Sequence, residues 1–441
     1  MNQFFYTLLL RLSKPFALRL LERKAKKAGG DWDIRGPERF GIYESKQASM
    51  DTVEFDEQDS IGNVGFKNPI WVHAVSLGET RAAQPFIRQL LDHGHYVLLT
   101  HTTATARAQG VRQFSEDIGE GRLVQAWFPY DFPEAVEGFL NHWQPRCGIL
   151  IEREVWPNMV LAATQHKIPM LLVSARLSES SAKQVKMIGG VLQKAYKDLD
   201  LILAQTHHDA ARFEEIGIAK PWVIGNLKFD LNISQQQVQL GEMLRHNLNR
   251  QVVVIASTRE GEEQEFIQAI LTEKPETKAP LYVIVPRHPQ RFAQVEGLLQ
   301  KSKLRYVRRS ANPSDEQIKQ ADVLLGDSLG EMFFYYGLAD IAIVAGSFGE
   351  FGGQNHIEAC AVGVPVIVGP HTENFEKSVE DALIEGAARR TENAQSALIL
   401  AQQLLQDEAQ RSEMGKAGQR WLRLHQGVSQ RLYKMIQPYL V

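Results

Sequence analysis

The stretch Asp340–Phe375, DIAIVAGSFGEFGGQNHIEACAVGVPVIVGPHTENF, decides the fold of this chain. Ile341 to Ala345 form an uncharged apolar run, the pattern of a strand buried on both faces. A glycine-rich turn follows, with Gly346, Gly349, Gly352 and Gly353. A helix is expected from near Asn355 through Glu358, Ala359 and Cys360, and a second buried strand at Pro365–Val368 ends in Gly369-Pro370. Strand, glycine turn, helix and strand make a βαβ unit whose turn lies at the carboxyl ends of the strands, where open α/β sheets bind ligands. Glycines let backbone N–H groups approach an anion closely, and a helix N-terminus adds a positive partial charge. The stretch is therefore expected to hold a phosphate-bearing ligand. Asn355-x-x-Glu358 also reads as a helix N-cap with its reciprocal glutamate. The four glycines favour the ligand, since a cap needs one or none.

Outward from this unit the same alternation recurs. IWVHAV (70–75), YVLLT (97–101), LVQAWF (123–128), CGILIE (147–152), PMLLVS (169–174) and LILA (201–204) are short apolar runs separated by stretches of helical length. A second set comprises WVIG (222–225), VVVIAS (252–257), LYVIVP (281–286), ADVLLG (321–326), DIAIVA (340–345) and PVIV (365–368). Six strands twice imply an α/β chain of two doubly wound, Rossmann-like domains facing a cleft, with a joint near residues 226–250. The expected division is 28–225, 226–420 and a C-terminal helix, 421–441, packing near the joint. The 441 residues suffice for two such cores.

Residues 1–27, MNQFFYTLLLRLSKPFALRLLERKAKK, are different. Phe4, Phe5, Leu8, Leu9, Leu12, Phe16, Leu20 and Leu21 recur at helical spacing, interleaved with Arg11, Lys14, Arg19, Arg23, Lys24, Lys26 and Lys27. The uncharged stretch before Arg11 is too short to span a bilayer, and no small-residue cleavage site follows. A basic amphipathic helix lying on an anionic membrane surface fits these residues, and a helix docked on its own domain is the other reading. Net charge is −3, which speaks against a nucleic-acid partner. Cys147 and Cys360 without spaced partners suggest a reducing compartment. The acidic segment 45–66 reads as a solvated loop.

Several candidates for chemistry fall at strand ends. Glu79 follows the first strand in a glycine-containing turn, a place for a general base. Glu152 ends CGILI beside Arg153 and Glu154, and a carboxylate there is costly unless used or paired. Lys228 follows Gly225-Asn226, and Pro286-Arg287 follows LYVIV, where an arginine suits a phosphate. For each alone, salt bridging or capping explains the residue equally well. Ser76-Leu77-Gly78-Glu79 is echoed by Ser328-Leu329-Gly330-Glu331, both readable as strand-to-helix turns with the glutamate at the helix start. Metal signatures are poor: Asp31-x-Asp33 lies away from any strand end, Asp198-x-Asp200 precedes a strand, and no Walker lysine is present.

Taken together, WVHAVSLGET (71–80), IEREVWPN (151–158), VSARLS (173–178), GNLKFD (225–230), ASTREGEE (256–263), VPRHPQRF (285–292), GDSLGEM (326–332), GGQNHIEA (352–359) and GPHTENF (369–375) resemble the 3-deoxy-D-manno-octulosonic acid (Kdo) transferases of lipopolysaccharide assembly. The resemblance runs over nearly the whole chain. It implies a GT-B fold, CMP-Kdo as donor substrate, a lipid A precursor as acceptor, inversion at the anomeric carbon, and neither resident cofactor nor metal. It implies a place on the cytoplasmic side of the inner membrane. Carried over by motif, Glu79 would be the base and Glu152 and Lys228 would support the transition state. Pro286, Arg287, Leu329, Gly330, Glu331, Asn355, His356, Ile357 and Glu358 would hold CMP. The sequence departs from the family pattern at Gln354, His356 and Arg259. The competing readings are a GT-B enzyme using another nucleotide sugar, such as a UDP-sugar transferase or epimerase, and a non-enzymatic nucleotide-binding protein on a membrane.

Overall fold

A computed structural model describes residues 1–43, 66, 68–219, 221–272 and 279–440. Apart from Phe66, the acidic segment 45–66 lies outside the described residues. The chain forms two units, Met1–Asp230 with Gly427–Val441, and Leu231–Gln426.

The first unit is built on β1 (Ile70–His73), β2 (Val97–His101), β3 (Leu123–Trp127), β4 (Cys147–Ile151), β5 (Met170–Ala175), β6 (Leu201–Ala204) and β7 (Trp222–Val223). All seven are parallel in the order β3-β2-β1-β4-β5-β6-β7, so the order reverses between β1 and β4. Strand geometry sends successive side chains to opposite faces. Trp71, Leu98, Leu150 and Leu172 accordingly join one core, while Val72, Leu99, Ile149 and Val173 join the other. Both faces are buried under helices, which is why these strands read as unbroken apolar runs.

The second unit holds β8 (Val252–Thr258), β9 (Leu281–Pro286), β10 (Tyr306–Arg308), β11 (Val323–Leu325), β12 (Ile341–Val344), β13 (Val366–Val368) and β14 (Ala388–Arg390). Its parallel order is β10-β11-β9-β8-β12-β13-β14. With β10 set aside as an added edge strand, this is the order of the first sheet's first six strands, reversing between β8 and β12. Two doubly wound sheets are as expected, with three differences. Trp222–Val223 is an exposed edge strand of the first sheet and does not head the second. The short edge strands Tyr306–Arg308 and Ala388–Arg390 carry no apolar run. The helix expected at Asn355 begins at Ile357.

The joint falls after Asp230 rather than at 225/226. The 3₁₀ turn Leu227–Phe229 buries Leu227 and Phe229 in the first unit. The Asp230 carboxylate then accepts from the Gly427 and Ser429 N–H groups. The C-terminal helix expected at 421–441 is in fact shared between two helices, Glu408–His425 and Val428–Ile436, separated by Gly427 at φ 81°. The second helix returns to the first unit, placing Val428, Leu432, Tyr433 and Ile436 in the core beneath helix Leu77–Asp92.

The N-terminal helix Gln3–Ala28 runs through Pro15 without interruption. Leu18 and Ala25 are buried, while Phe4, Phe5, Leu8, Leu9, Leu12, Phe16 and Leu20 are exposed. Lys14 sits over the rings of Phe40 and Phe132. The helix is thus docked along one face and apolar along another. Among the described residues, no helix is long and apolar enough to cross a membrane.

Ile436 is fully buried. Ile436→Ala is expected to destabilise the first domain by about 2–5 kcal/mol. Urea unfolding should show a lower midpoint for that domain, and an unchanged midpoint would place the C-terminal helix outside its core.

Candidate active site and donor site

In the first unit, the candidate residues gather where the strand order reverses. Glu79 lies in the first turn of helix Leu77–Asp92, immediately after β1. Ser76 caps this helix, its Oγ accepting from the Glu79 N–H. The Glu79 carboxylate accepts from the Val75 N–H (2.8 Å) and the Ser76 hydroxyl (3.0 Å). The capping arrangement is real, and it fixes the carboxylate in place. Burial, then the charge of Glu152, push its pKa up to about 7, against the pull of these hydrogen bonds. A carboxylate held near neutrality is suited to taking a proton at physiological pH.

Glu152 directly follows β4 at φ 64°, a left-handed backbone that a non-glycine residue adopts only when its surroundings hold it there. Its Oε1 accepts from Lys228 Nζ at 2.6 Å, with the two side chains only 12% and 20% exposed. Burial alone would raise the Glu152 pKa. The Lys228 charge and hydrogen bond, helped by Arg176 and Arg153, outweigh it and keep the carboxyl ionised, with its pKa below the usual range. Lys228 is placed by its own turn: Asn226 Oδ1 accepts from the Lys228 N–H, and Ser174 Oγ accepts from the Leu227 N–H. Glu154 is pushed up by burial, and its Oε2 accepts from Trp156 Nε1. Glu79, Glu152 and Lys228, dispersed in sequence, are brought to one pole of one sheet.

In the second unit the loops after β8, β9, β11 and β12 share the corresponding pole. Arg287 directly follows β9; its N–H donates to the Thr258 carbonyl and its Nε to Gln354 Oε1. His288, beside it, is lowered to about 4 by burial and then by the neighbouring Arg259, Arg287 and Arg291 charges. This is an electropositive cluster suited to a phosphate.

The glycine turn behaves differently from expectation. Its N–H groups do meet an anion, but the anion is Glu262. Gly346 N–H donates to Oε2 (2.7 Å), while Phe348 and Gly349 N–H donate to Oε1 (2.9 and 3.2 Å). The Arg259 N–H adds a fourth bond to this buried carboxylate. These N–H groups organise the turn rather than face outward.

The N-cap position is His356, without a side-chain capping bond; just before it, Asn355 Oδ1 accepts from the Ile357 N–H and Nδ2 donates to Glu358. His356 is wholly buried, stacks on Trp421, and directs Nε2 at the Ser378 carbonyl; burial lowers its pKa to about 4. Ile357 is also core. What His356 and Ile357 can offer a ligand is backbone only. Pro286 ends β9 and is likewise buried.

Leu329 is exposed, and the Gly330 carbonyl accepts from Gln237 Nε2. Glu331 is paired bidentately with Arg309. The S-L-G-E echo does not carry over into geometry. Gly78 lies within a helix, whereas Gly330 at φ 79° delays the helix to Met332, and Ser328 bonds to the Tyr335 hydroxyl.

The family model for 3-deoxy-D-manno-octulosonic-acid transferase (kdotransferase) matches residues 35–231, and that for glycosyl transferases group 1 matches residues 313–421. A 3-deoxy-D-manno-octulosonic acid transferase of Bordetella pertussis is 47% identical over 438 residues, 99% of each chain. The chain belongs to the 3-deoxy-D-manno-octulosonic acid transferases. The Haemophilus influenzae transferase is 32% identical across 100% of this chain and 99% of its own. In fold, the transferase is similar to a UDP-GlcNAc 2-epimerase from Neisseria meningitidis, with TM-score 0.57, 15% identity, and coverage of 84% of this chain and 100% of that one. At that identity the likeness is of architecture alone, and it fits the GT-B arrangement of two Rossmann-like domains. The epimerase and non-enzymatic readings give way to a glycosyltransferase.

Sequence reading missed Glu262, although it lies in the quoted ASTREGEE, because three of its four donors are 84 to 87 residues away. The mutual effect of Glu79 and Glu152 yields a test. The negative charge of Glu152 helps raise the Glu79 pKa. In Glu152→Gln that contribution disappears, so the Glu79 carboxyl should titrate at lower pH than in the wild type. Carbon-13 NMR titration of the carboxyl reads this directly, and an unshifted or raised value would show that the two groups do not sense each other.

Proposed function

We propose that the transferase moves Kdo from CMP-Kdo to a lipid A precursor, with inversion at the anomeric carbon and Glu79 as general base. The observation that carries this reading is the Glu79 carboxylate, fixed at the end of β1 with a pKa near 7 beside the ionised Glu152–Lys228 pair. An acceptor hydroxyl is a poor nucleophile. Glu79 takes its proton as its oxygen bonds to the anomeric carbon. The bond from that carbon to the phosphate oxygen breaks, and its electron pair leaves with CMP. Positive charge develops on the sugar, and a fixed carboxylate such as Glu152 stabilises it. Lys228 keeps that carboxylate charged.

CMP-Kdo carries one phosphodiester. Arg287, with the positive cluster around His288, supplies the compensating charge, so no resident cofactor or metal is assigned. Asn355, Glu358 and the backbone at Gly330, His356 and Ile357 complete the proposed CMP site. Glu331 contributes through its pairing with Arg309.

The acceptor is acylated, and the exposed stripe Phe5, Leu9, Leu12 and Phe16 with its basic neighbours fits an anionic membrane surface. We place the enzyme on the cytoplasmic face of the inner membrane, lying on it through the N-terminal helix.

Glu79→Gln preserves shape and capping geometry. It should fold and bind CMP normally yet turn over about a hundredfold or more slowly, the usual scale for a general base. Near-wild-type turnover would reduce Glu79 to a helix cap. In the wild type, kcat/KM should rise with pH through an acid limb near pH 7, because only the ionised carboxylate accepts a proton.

Arg287→Ala should weaken CMP binding by about 1.5–3 kcal/mol, the range for a hydrogen bond to a charged group. Calorimetry showing unaltered affinity in the folded variant would remove Arg287 from the site. Replacing Phe5, Leu9, Leu12 and Phe16 by serine should release the protein from anionic vesicles with both domains folded, and undiminished co-sedimentation would refute the surface role.

A further inference from the structure

The loop that carries Glu152 and Glu154 runs directly into helix Pro157–Gln165. Trp156 occupies the N-cap position without a side-chain capping bond, and Pro157 has no N–H to cap. The next two N–H groups, of Asn158 and Met159, need acceptors from elsewhere. Asp131 supplies both: Oδ2 accepts from Asn158 N–H at 3.0 Å and Oδ1 from Met159 N–H at 2.8 Å. Its main-chain carbonyl accepts from Asn158 Nδ2. Asp131 and Asn158 are only 6% and 4% exposed.

The N-terminal helix closes on this pair. Tyr6 donates its hydroxyl to Asp131 Oδ2 at 2.9 Å, and Gln3 and Thr7 donate to Asn158 Oδ1. Residues 3, 6 and 7 fall on one helix face, distinct from the exposed stripe. Simple anchoring to a lipid surface would not need three polar side chains aimed at one buried carboxylate–amide pair.

We propose that the N-terminal helix also positions the active-site loop, with Tyr6 and Asp131 as positioning residues that set Glu152 and Glu154 through the start of helix Pro157–Gln165. The physical route is short. Asp131 fixes the first turn of that helix, the first turn fixes Trp156, and Trp156 Nε1 holds Glu154 while its ring lies 6.1 Å from that of Phe128. Glu152 lies five residues before Pro157, with Lys228, Arg153 and Arg176 acting on its charge. Glu79 senses both Glu152 and Glu154. A loosened loop admits water and moves these charges away from Glu79, so Glu79 titrates lower.

This inference rests on Glu79 and Glu152 being the catalytic pair, and the test separates the two ideas. Tyr6→Phe, made in the full chain, is assayed with CMP-Kdo and a detergent-dispersed lipid A precursor, alongside Glu79→Gln. Vesicle binding and CMP affinity should be unchanged, since Tyr6 belongs to neither surface. Turnover should fall by about tenfold, because misplacing catalytic groups by ~1 Å costs up to about a hundredfold. The acid limb of kcat/KM should move to lower pH. Thr7→Val should show the same changes more weakly. If Tyr6→Phe lowers only the melting temperature, with turnover and acid limb as in the wild type, Tyr6 is structural and the proposal is overturned. If Glu79→Gln is itself active, the catalytic assignment falls instead.

Discussion

A buried backbone N–H must find an acceptor, and in this protein carboxylates from distant parts of the chain repeatedly provide one. Parallel strands satisfy each other along the sheet but leave loops and helix starts with unpaired donors. Asp131 serves Asn158 and Met159, Glu262 serves Arg259, Gly346, Phe348 and Gly349, and Asp230 serves Gly427 and Ser429. Asp200 and Asp340 do the same at strand starts, for Met170 and Val252. Each such bond ties two segments that local propensity would leave independent. Removing the acid would leave its donors buried and unsatisfied, at a cost of about 1–3 kcal/mol for each. The loops carrying the proposed chemistry therefore owe their shape to residues outside the site.

The same economy of charge governs the active site. Three carboxyl groups, Glu79, Glu152 and Glu154, lie at one pole of the first sheet, where burial disfavours ionising all of them. Lys228 settles the matter by choosing Glu152, whose pKa falls while those of Glu79 and Glu154 rise. One lysine thus produces unlike acids from like residues, a carboxyl that stays ionised and one that titrates near neutrality, the pair the proposed mechanism calls for. Burial makes the arrangement demanding, since an unpaired Glu152 would lose its charge.

The sequence was most legible where burial is symmetrical. Ile341–Val344, Val252–Thr258 and Cys147–Ile151 are covered on both faces, so their apolar runs announced the two sheets and, with them, the pole of the first where Glu79 and Glu152 stand and the pole of the second where Arg287 stands. The edge strands Tyr306–Arg308 and Ala388–Arg390 escaped notice because half-exposed edges tolerate arginine. Glycine content suggested an anion for the turn's N–H groups, the phosphate of a ligand, and the Gly346, Phe348 and Gly349 N–H groups are instead taken up by a side chain. It could not reveal that the anion is Glu262, because pairing across the fold leaves no periodicity in sequence. Likewise, Asn355-x-x-Glu358 admitted cap or ligand readings; the N-cap is His356 without a side-chain bond, and Asn355 instead accepts from the Ile357 N–H and donates to Glu358. His356 shows the limit of motif transfer: it stands within a matched motif yet packs its ring on Trp421 in the core.

The N-terminal helix shows why two readings of one segment need not compete. Amphipathic spacing suggested either a membrane surface or a docked helix, as if one apolar face had to serve one purpose. The docked face, however, is held largely by polar groups, Gln3, Tyr6 and Thr7, together with the buried Leu18 and Ala25. This leaves the large apolar side chains exposed. A helix fastened to its domain by hydrogen bonds retains its hydrophobic stripe for another surface. Burying that stripe against the domain would have gained more stability per residue, at roughly 25 cal/mol for each Å² of apolar area. Polar fastening and apolar exposure are therefore one arrangement: the first holds the helix against the start of helix Pro157–Gln165, and the second leaves an apolar stripe open, as the proposed lipid surface requires.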